Sequence, residues 1–170
     1  MISPRWRRIL APIFLSVLLL VSACTPATPS RYDQVQQETT RRGADSAVAK
    51  DATKGGQFNK FFPKSVPGYQ IVPAQEKKGF AEYKVNQNGK NVAVLSISDT
   101  SSVPSAAAKY QNSTKKISGY PAVEQGSNTT GVLVNDRYQV KVSSRDASFT
   151  PDDRVAWIAK FNLNGLSRLN

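Results

Sequence analysis

The chain changes texture twice along its length. Residues 9–21 read Ile-Leu-Ala-Pro-Ile-Phe-Leu-Ser-Val-Leu-Leu-Leu-Val, thirteen positions without a charge. Residues 25–57 then contain no Ile, Leu, Met, Phe or Trp. From Phe58 onward apolar residues return at the spacing of strands. In Tyr138-Gln139-Val140-Lys141-Val142-Ser143 the Tyr/Val/Val set shares one face and Gln/Lys/Ser the other, the period-2 signature of a half-buried strand. Ala81-Glu82-Tyr83-Lys84-Val85 alternates in the same way, whereas Asn91-Val92-Ala93-Val94-Leu95-Ser96-Ile97-Ser98 is apolar on both faces in its first half, as a central strand requires. Asn86-Gln87-Asn88-Gly89-Lys90 lies between these two, and Asn-Gly is the strongest short hairpin signal. Asn135-Asp136-Arg137 joins Gly131-Val132-Leu133-Val134 to the Tyr138 strand in a similar manner.

Two segments read as helices. Thr150-Pro151-Asp152-Asp153 combines a capping hydroxyl, Pro at the first helical position and acids where the macrodipole favours them. The helix then runs over residues 154–161, with Val155, Ile158 and Ala159 on one face. A second start is Ser102-Val103-Pro104, followed by Ser105-Ala106-Ala107-Ala108-Lys109-Tyr110.

The two halves of this region correspond. Gly68-Tyr69 matches Gly119-Tyr120, Val85-Asn86 matches Val134-Asn135, and a strand ending in Ser and Asp recurs at Asp99 and Asp146. Pro104 and Pro151 each follow that Asp by five residues, and Tyr110 and Trp157 follow that Pro by six. The pattern predicts an α+β domain: a mostly antiparallel sheet of about six strands with two helices on one face, built as a duplicated βββα unit. The alternative is that antiparallel α+β domains alternate this way without any internal copy. Pro73 in the first strand and Pro121 in the fourth mark these as edge strands.

The N-terminal run is too short for a membrane span, which needs about 20 apolar residues. It follows three arginines, Arg5, Arg7 and Arg8, and precedes Val21-Ser22-Ala23-Cys24, the order of a signal peptide. This segment resembles that of bacterial lipoproteins, in which a lipobox of one aliphatic and two small residues precedes a cysteine. The resemblance covers residues 1–24 only. It implies that the Cys24 thiol receives a diacylglyceryl group, that cleavage falls between Ala23 and Cys24, and that the new amino group is acylated. Two or three acyl chains, at about 0.8 kcal/mol per buried CH₂, anchor a protein essentially permanently. In an envelope with two membranes, Thr25 does not match an inner-membrane retention signal and so favours the outer membrane. The expected organisation is therefore a removed signal peptide at 1–23, a lipidated Cys24 with a polar tether through 57, and a single domain over 58–170. Such a protein faces the periplasm or the exterior. The competing reading of residues 1–24 is an ordinary signal peptide with a chance Cys beside the cut.

Composition narrows the chemistry. The 170 residues include no His and one Cys. A Ser-His-Asp or Cys-His site, a His-ligated metal, an intrachain disulfide and a zinc ribbon are thereby excluded. The carboxylates available for paired acid–base work are Glu76, Glu82, Asp99, Glu124, Asp136, Asp146, Asp152 and Asp153. Asp152 and Asp153 are explained by the helix start, Asp99 and Asp146 by strand-to-helix turns. Gly55-Gly56 has no following helix in the pattern and does not make a phosphate loop. No catalytic residue, metal ligand or cofactor is assigned.

Net charge is +11, or +8 on side chains once three arginines leave with the signal peptide. Residues 58–170 hold fifteen basic against eight acidic side chains. Lys77, Lys78, Lys115 and Lys116 are the candidates for a basic rim that meets an anionic lipid, a glycan or an acidic protein. Solvated lysines that serve solubility are the plain alternative. Nucleic acid is disfavoured by location rather than by charge. Tyr69 and Tyr120 read either as half-buried core or as partner-facing aromatics. The function expected is a non-catalytic binding or assembly module of the cell envelope, held to the membrane through Cys24. The alternatives are a small-ligand-binding module and a His-independent hydrolase.

Overall fold

The structure, a computed structural model, describes residues 48–169. The signal segment, Ala23, Cys24 and most of the expected tether lie outside the described residues.

Among the described residues seven strands form one antiparallel sheet: β1 (Gln70–Lys77), β2 (Phe80–Gln87), β3 (Lys90–Asp99), β4 (Lys116–Ile117), β5 (Tyr120–Gln125), β6 (Thr129–Val134) and β7 (Tyr138–Ser144). Their order is β1-β2-β3-β7-β6-β5-β4. The strand count is therefore seven rather than about six. The addition is β4, whose two residues are too few to show a period. Lys116 pairs with Pro121 and Ile117 with Tyr120 across a turn at Ser118 and Gly119, both at positive φ. This corrects the place of the Pro121 strand, which is covered by β4 instead of forming the edge. β1, with Pro73, does lie at the other edge.

The sheet is two three-stranded meanders whose third strands, β3 and β7, lie side by side, with Leu95 paired to Val142. Those two residues are 47 positions apart, and so are the turns at Asn88-Gly89 and Asn135-Asp136, all four of which take positive φ. A two-fold relation through the Leu95–Val142 pair links the meanders: β2 meets β3 at Tyr83–Leu95 as β6 meets β7 at Thr130–Val142.

The helical pieces do not follow that relation. One helical turn, α1 (Ser105–Ala108), follows β3; α2 (Pro151–Ile158) and α3 (Leu163–Leu166) follow β7. Arg154 of α2 bonds Thr130, Ser144 and Glu124, whereas Tyr110, just past α1, bonds Gln125 and Gln139. Adjacent strand residues face opposite ways, so α1 and α2 lie on opposite faces of the sheet, not on one face as expected. α1 stops early because three alanines offer little to bury, and Tyr110, 1% exposed, is the buried side chain just past it. α2 keeps its expected start: Thr150 and Asp153 form a reciprocal capping box with Pro151 in the first turn.

The core lies on the α2 face. Ala81, Val85, Leu95, Ile97, Val132, Val134, Tyr138, Val140 and Val142 are buried there. They are covered by Trp157 and Ile158 of α2, Leu163 and Leu166 of α3, and Phe58, Phe61 and Phe62 at or beside the 3-10 segment Gly55–Phe61. Phe62 stacks on Tyr83 at 4.2 Å, and Tyr69 meets Trp157 edge-on at 5.3 Å.

The tether boundary expected at residue 57 also moves. Ala52 and Thr53 are 5% and 6% exposed, and Gly55 is buried. A Cβ at Gly55 would collide with the carbonyls of Lys77 and Phe80. Residues 49–57 are thus a strap on the domain, held by small size and hydrogen bonds rather than by large apolar side chains.

Candidate functional site

The strap is fastened at the end of β3. Asp99 accepts from Arg137 Nε, shared between Oδ1 at 3.1 Å and Oδ2 at 3.2 Å, and from Nη2 to Oδ2 at 2.9 Å. Its Oδ2 also accepts from the Thr53 N–H and Thr53 Oγ1, both at 2.9 Å, and its Oδ1 from the Ser101 N–H at 3.0 Å. Arg137 reaches further, donating to the Asp51 carbonyl at 3.0 Å, and its guanidinium carbon lies 5.3 Å from the centre of the Tyr138 ring. The Tyr138 hydroxyl lies 3.2 Å from Thr53 Oγ1 and donates to the Leu169 carbonyl. Three main-chain contacts extend the fastening: Ala49 N–H to Ser102 Oγ, Gly79 N–H to the Thr53 carbonyl, and Lys78 Nζ to the Lys50 carbonyl.

The Asp99 side chain is fully buried while Arg137 remains 30% exposed. Burial alone pushes the Asp99 carboxyl up. The Arg137 guanidinium and the Thr53 and Ser101 N–H groups outweigh it and hold the carboxyl well below the usual range.

The two-fold relation repeats this arrangement at the other end of the β3–β7 pair. Lys90 and Asp146 are each 47 positions from Arg137 and Asp99, exchanged between strands, and they form an ion pair. Ser148 donates to Asp146 Oδ1 through its N–H as Ser101 does to Asp99. Here no strap covers the pair: Lys90 is 68% and Asp146 20% exposed. Lys90 is the main cause that lowers the Asp146 carboxyl, with Ser148 adding to it. A cleft of about 380 Å³ opens beside Asp146, bounded by Asn128, Phe149 and Arg154.

A third polar group joins α2 to the sheet. Arg154, 3% exposed, donates to Thr130 at 2.8 Å, Ser144 at 3.0 Å and Glu124 at 3.2 Å. Partial burial raises the Glu124 carboxyl, but Thr130, Lys115 and Arg154 together leave it lowered. On the opposite face, burial pushes the Tyr110 hydroxyl up to about 12 despite its bonds from Gln139 and Gln125.

A general base works best with a pKa near the operating pH. Asp99, Asp146 and Glu124 are all shifted away from neutrality and are occupied by cations or N–H donors. Their chemistry is that of fixed acceptors which hold strands, strap and helix together. Among the described residues no group of three His, Cys, Asp or Glu side chains is placed to hold a metal ion.

The four candidate lysines are not one rim. Lys77 and Lys78 lie at the end of β1, and Lys115 and Lys116 at β4, on opposite edges of the sheet. Six strand steps of about 4.8 Å put them about 29 Å apart. Lys115 is paired with Glu124 at 3.0 Å, whereas Lys78 joins the strap. Tyr69 and Tyr120 both pack against the core. The Tyr120 hydroxyl donates to Asn164 at 3.1 Å.

Sequence reasoning missed the strap, Arg137 and Arg154. Arg137 did carry a signal, since it stands opposite Asp99 as Lys90 stands opposite Asp146, at the period of the repeat. Thr53 and Arg154 carried none. No protein family, curated protein or solved structure matches the chain.

Proposed function

We propose that this protein is a lipid-anchored, non-catalytic binding or assembly module of the cell envelope, attached through Cys24. The observation that carries the proposal is the ordered agreement of basic residues, apolar run, small residues and cysteine in residues 1–24. The fold supports it in two ways. The buried carboxylates are occupied in structural bonds, and the segment leading back toward Cys24 is fastened to the domain by a buried ion pair. From Cys24 to Ala49 the chain spans 25 steps, so the domain stays within roughly 85 Å of its anchor. Among the described residues no helix is long and apolar enough to cross a membrane. The correspondence of the two meanders, including their ion pairs, supports duplication of one three-stranded unit.

Metabolic labelling with a palmitate analogue tests the anchor. The expected result is label on the wild-type protein and none on Cys24→Ala, which accumulates at the mass of the uncleaved chain. Equal label on both proteins would overturn the assignment.

A further inference from the structure

We propose that the groove beside the strap is a docking site for the phosphate headgroups of an anionic membrane surface. The groove has a volume of about 610 Å³ and is lined by Lys54, Gly55, Gly56, Glu76, Lys77 and Lys78. Its three lysines are exposed. None of the ion pairs found among the described residues uses them; those pairs engage Lys90, Lys115, Arg137 and Arg154. Lys78 Nζ donates to the Lys50 carbonyl, which brings a fourth lysine to the same side. Of the two carboxylates nearby, Glu76 lines the groove and accepts from the Asn59 side chain at 3.0 Å, which leaves the three lysines in excess, and Asp51 interacts with Arg137. Gly55 and Gly56 let the strap backbone approach β1 closely at the wall of the groove. A Cβ at either position would meet Glu76, and at Gly55 also the carbonyls of Lys77 and Phe80.

The choice of a membrane as the source of phosphate rests on the anchor reading of Cys24. Cys24 lies 26 positions upstream of Lys50, whose carbonyl accepts from Lys78 of the groove, so the chain between them is long enough for the groove to reach the anchoring membrane. Each lysine near an anionic surface contributes about 1 kcal/mol, or about fivefold in binding. A tether supplies the high effective concentration at which such contacts hold. Lys115 and Lys116, at the far edge of the sheet, have no part in this contact.

The test uses the lipidated chain purified from membranes and reconstituted into vesicles of phosphatidylcholine alone or mixed with phosphatidylglycerol. Hydrogen exchange is read at residues 54–57 and 77–79. The expected result is several-fold slower exchange on the anionic vesicles, lost at high salt and lost in a Lys54→Glu/Lys77→Glu/Lys78→Glu variant. Lys115→Glu/Lys116→Glu keeps the effect. Identical exchange on the two vesicle types would overturn the proposal, as would loss of the effect in the Lys115/Lys116 variant. Inorganic phosphate added to the neutral vesicles is the third arm; equal protection there would assign a free-phosphate site instead of a membrane surface. Flotation with neutral vesicles reports the anchor separately. If flotation fails, the anchor reading falls, while the exchange difference on anionic vesicles still decides the groove.

Discussion

Replacing Asp99 by Ala removes the acceptor on which strap, β3 and β7 converge. Arg137 loses all three of its bonds to the carboxylate and keeps one to the Asp51 carbonyl, and the Thr53 N–H, on a residue 6% exposed, loses its partner. Removing one partner of a buried ion pair costs about 3–5 kcal/mol. Arg137 is 30% exposed and its charge is partly rehydrated, which puts the cost near the lower end, about 3 kcal/mol. Against a total stability of about 5–15 kcal/mol this is a large fraction. A domain of this size responds with a fall in Tm of roughly 10 °C. Urea unfolding followed by the fluorescence of Trp157, which is 4% exposed, measures it. The internal control is Asp146→Ala at the two-fold related pair, where no strap covers the carboxylate and its partner Lys90 is 68% exposed, so the midpoint is expected to fall less than in Asp99→Ala. Release of the strap adds a second readout, faster tryptic cleavage after Lys50 and Lys54 in Asp99→Ala only. Equal midpoints for the two variants, or unchanged cleavage in Asp99→Ala, would refute the claim that burial by the strap makes one copy of the pair structural and leaves the other peripheral.

Acid offers a second view of Asp99. Folding holds its carboxyl below the unfolded value, so the unfolded chain takes up the proton first and falling pH favours unfolding. The contribution is complete at neutral pH and is lost progressively below about pH 5; urea midpoints against pH should show a flatter acid limb in Asp99→Asn than in wild type. Gly55→Ala is expected to lose about 1–3 kcal/mol by forcing strap and β1–β2 turn apart, read from the same urea midpoints. Tyr110→Phe leaves the Gln139 amide, 3% exposed, with only a 3.4 Å contact to the Ala106 carbonyl. A loss of about 1–3 kcal/mol in thermal unfolding is expected, and no loss would show that the α1 segment is not held to the sheet by this hydroxyl.

The strands were legible because each carries its own period and its own turn. Asn88-Gly89 and Asn135-Asp136 announce two hairpins before any packing is considered, and the recurrence of Ser and Asp at the ends of β3 and β7 carries the two-fold relation. What the pattern does not carry is which face receives each helix. Tyr110 and Trp157 hold matching positions after Pro104 and Pro151 and are both buried, yet one accepts from Gln139 and Gln125 and the other joins the opposite core. β4 escaped because two residues have no period. The strap escaped for a different reason: Ala52, Thr53 and Gly55 bury little apolar area, so composition reads them as tether, whereas a buried carboxylate and close backbone approach hold them. Arg154 looks like the polar side of α2 and is instead buried between three acceptors. The lysine pairs share a residue type but not a location, since neighbours in composition say nothing about order across a sheet.

The central claim is that Cys24 joins this domain to a membrane. Intact mass spectrometry of the protein extracted from its native membranes tests it most directly. The expected mass is that of a chain beginning at Cys24 and carrying a diacylglyceryl group, with or without a third acyl chain. A chain that begins at another residue, or one that retains Met1 and a free thiol, would contradict it.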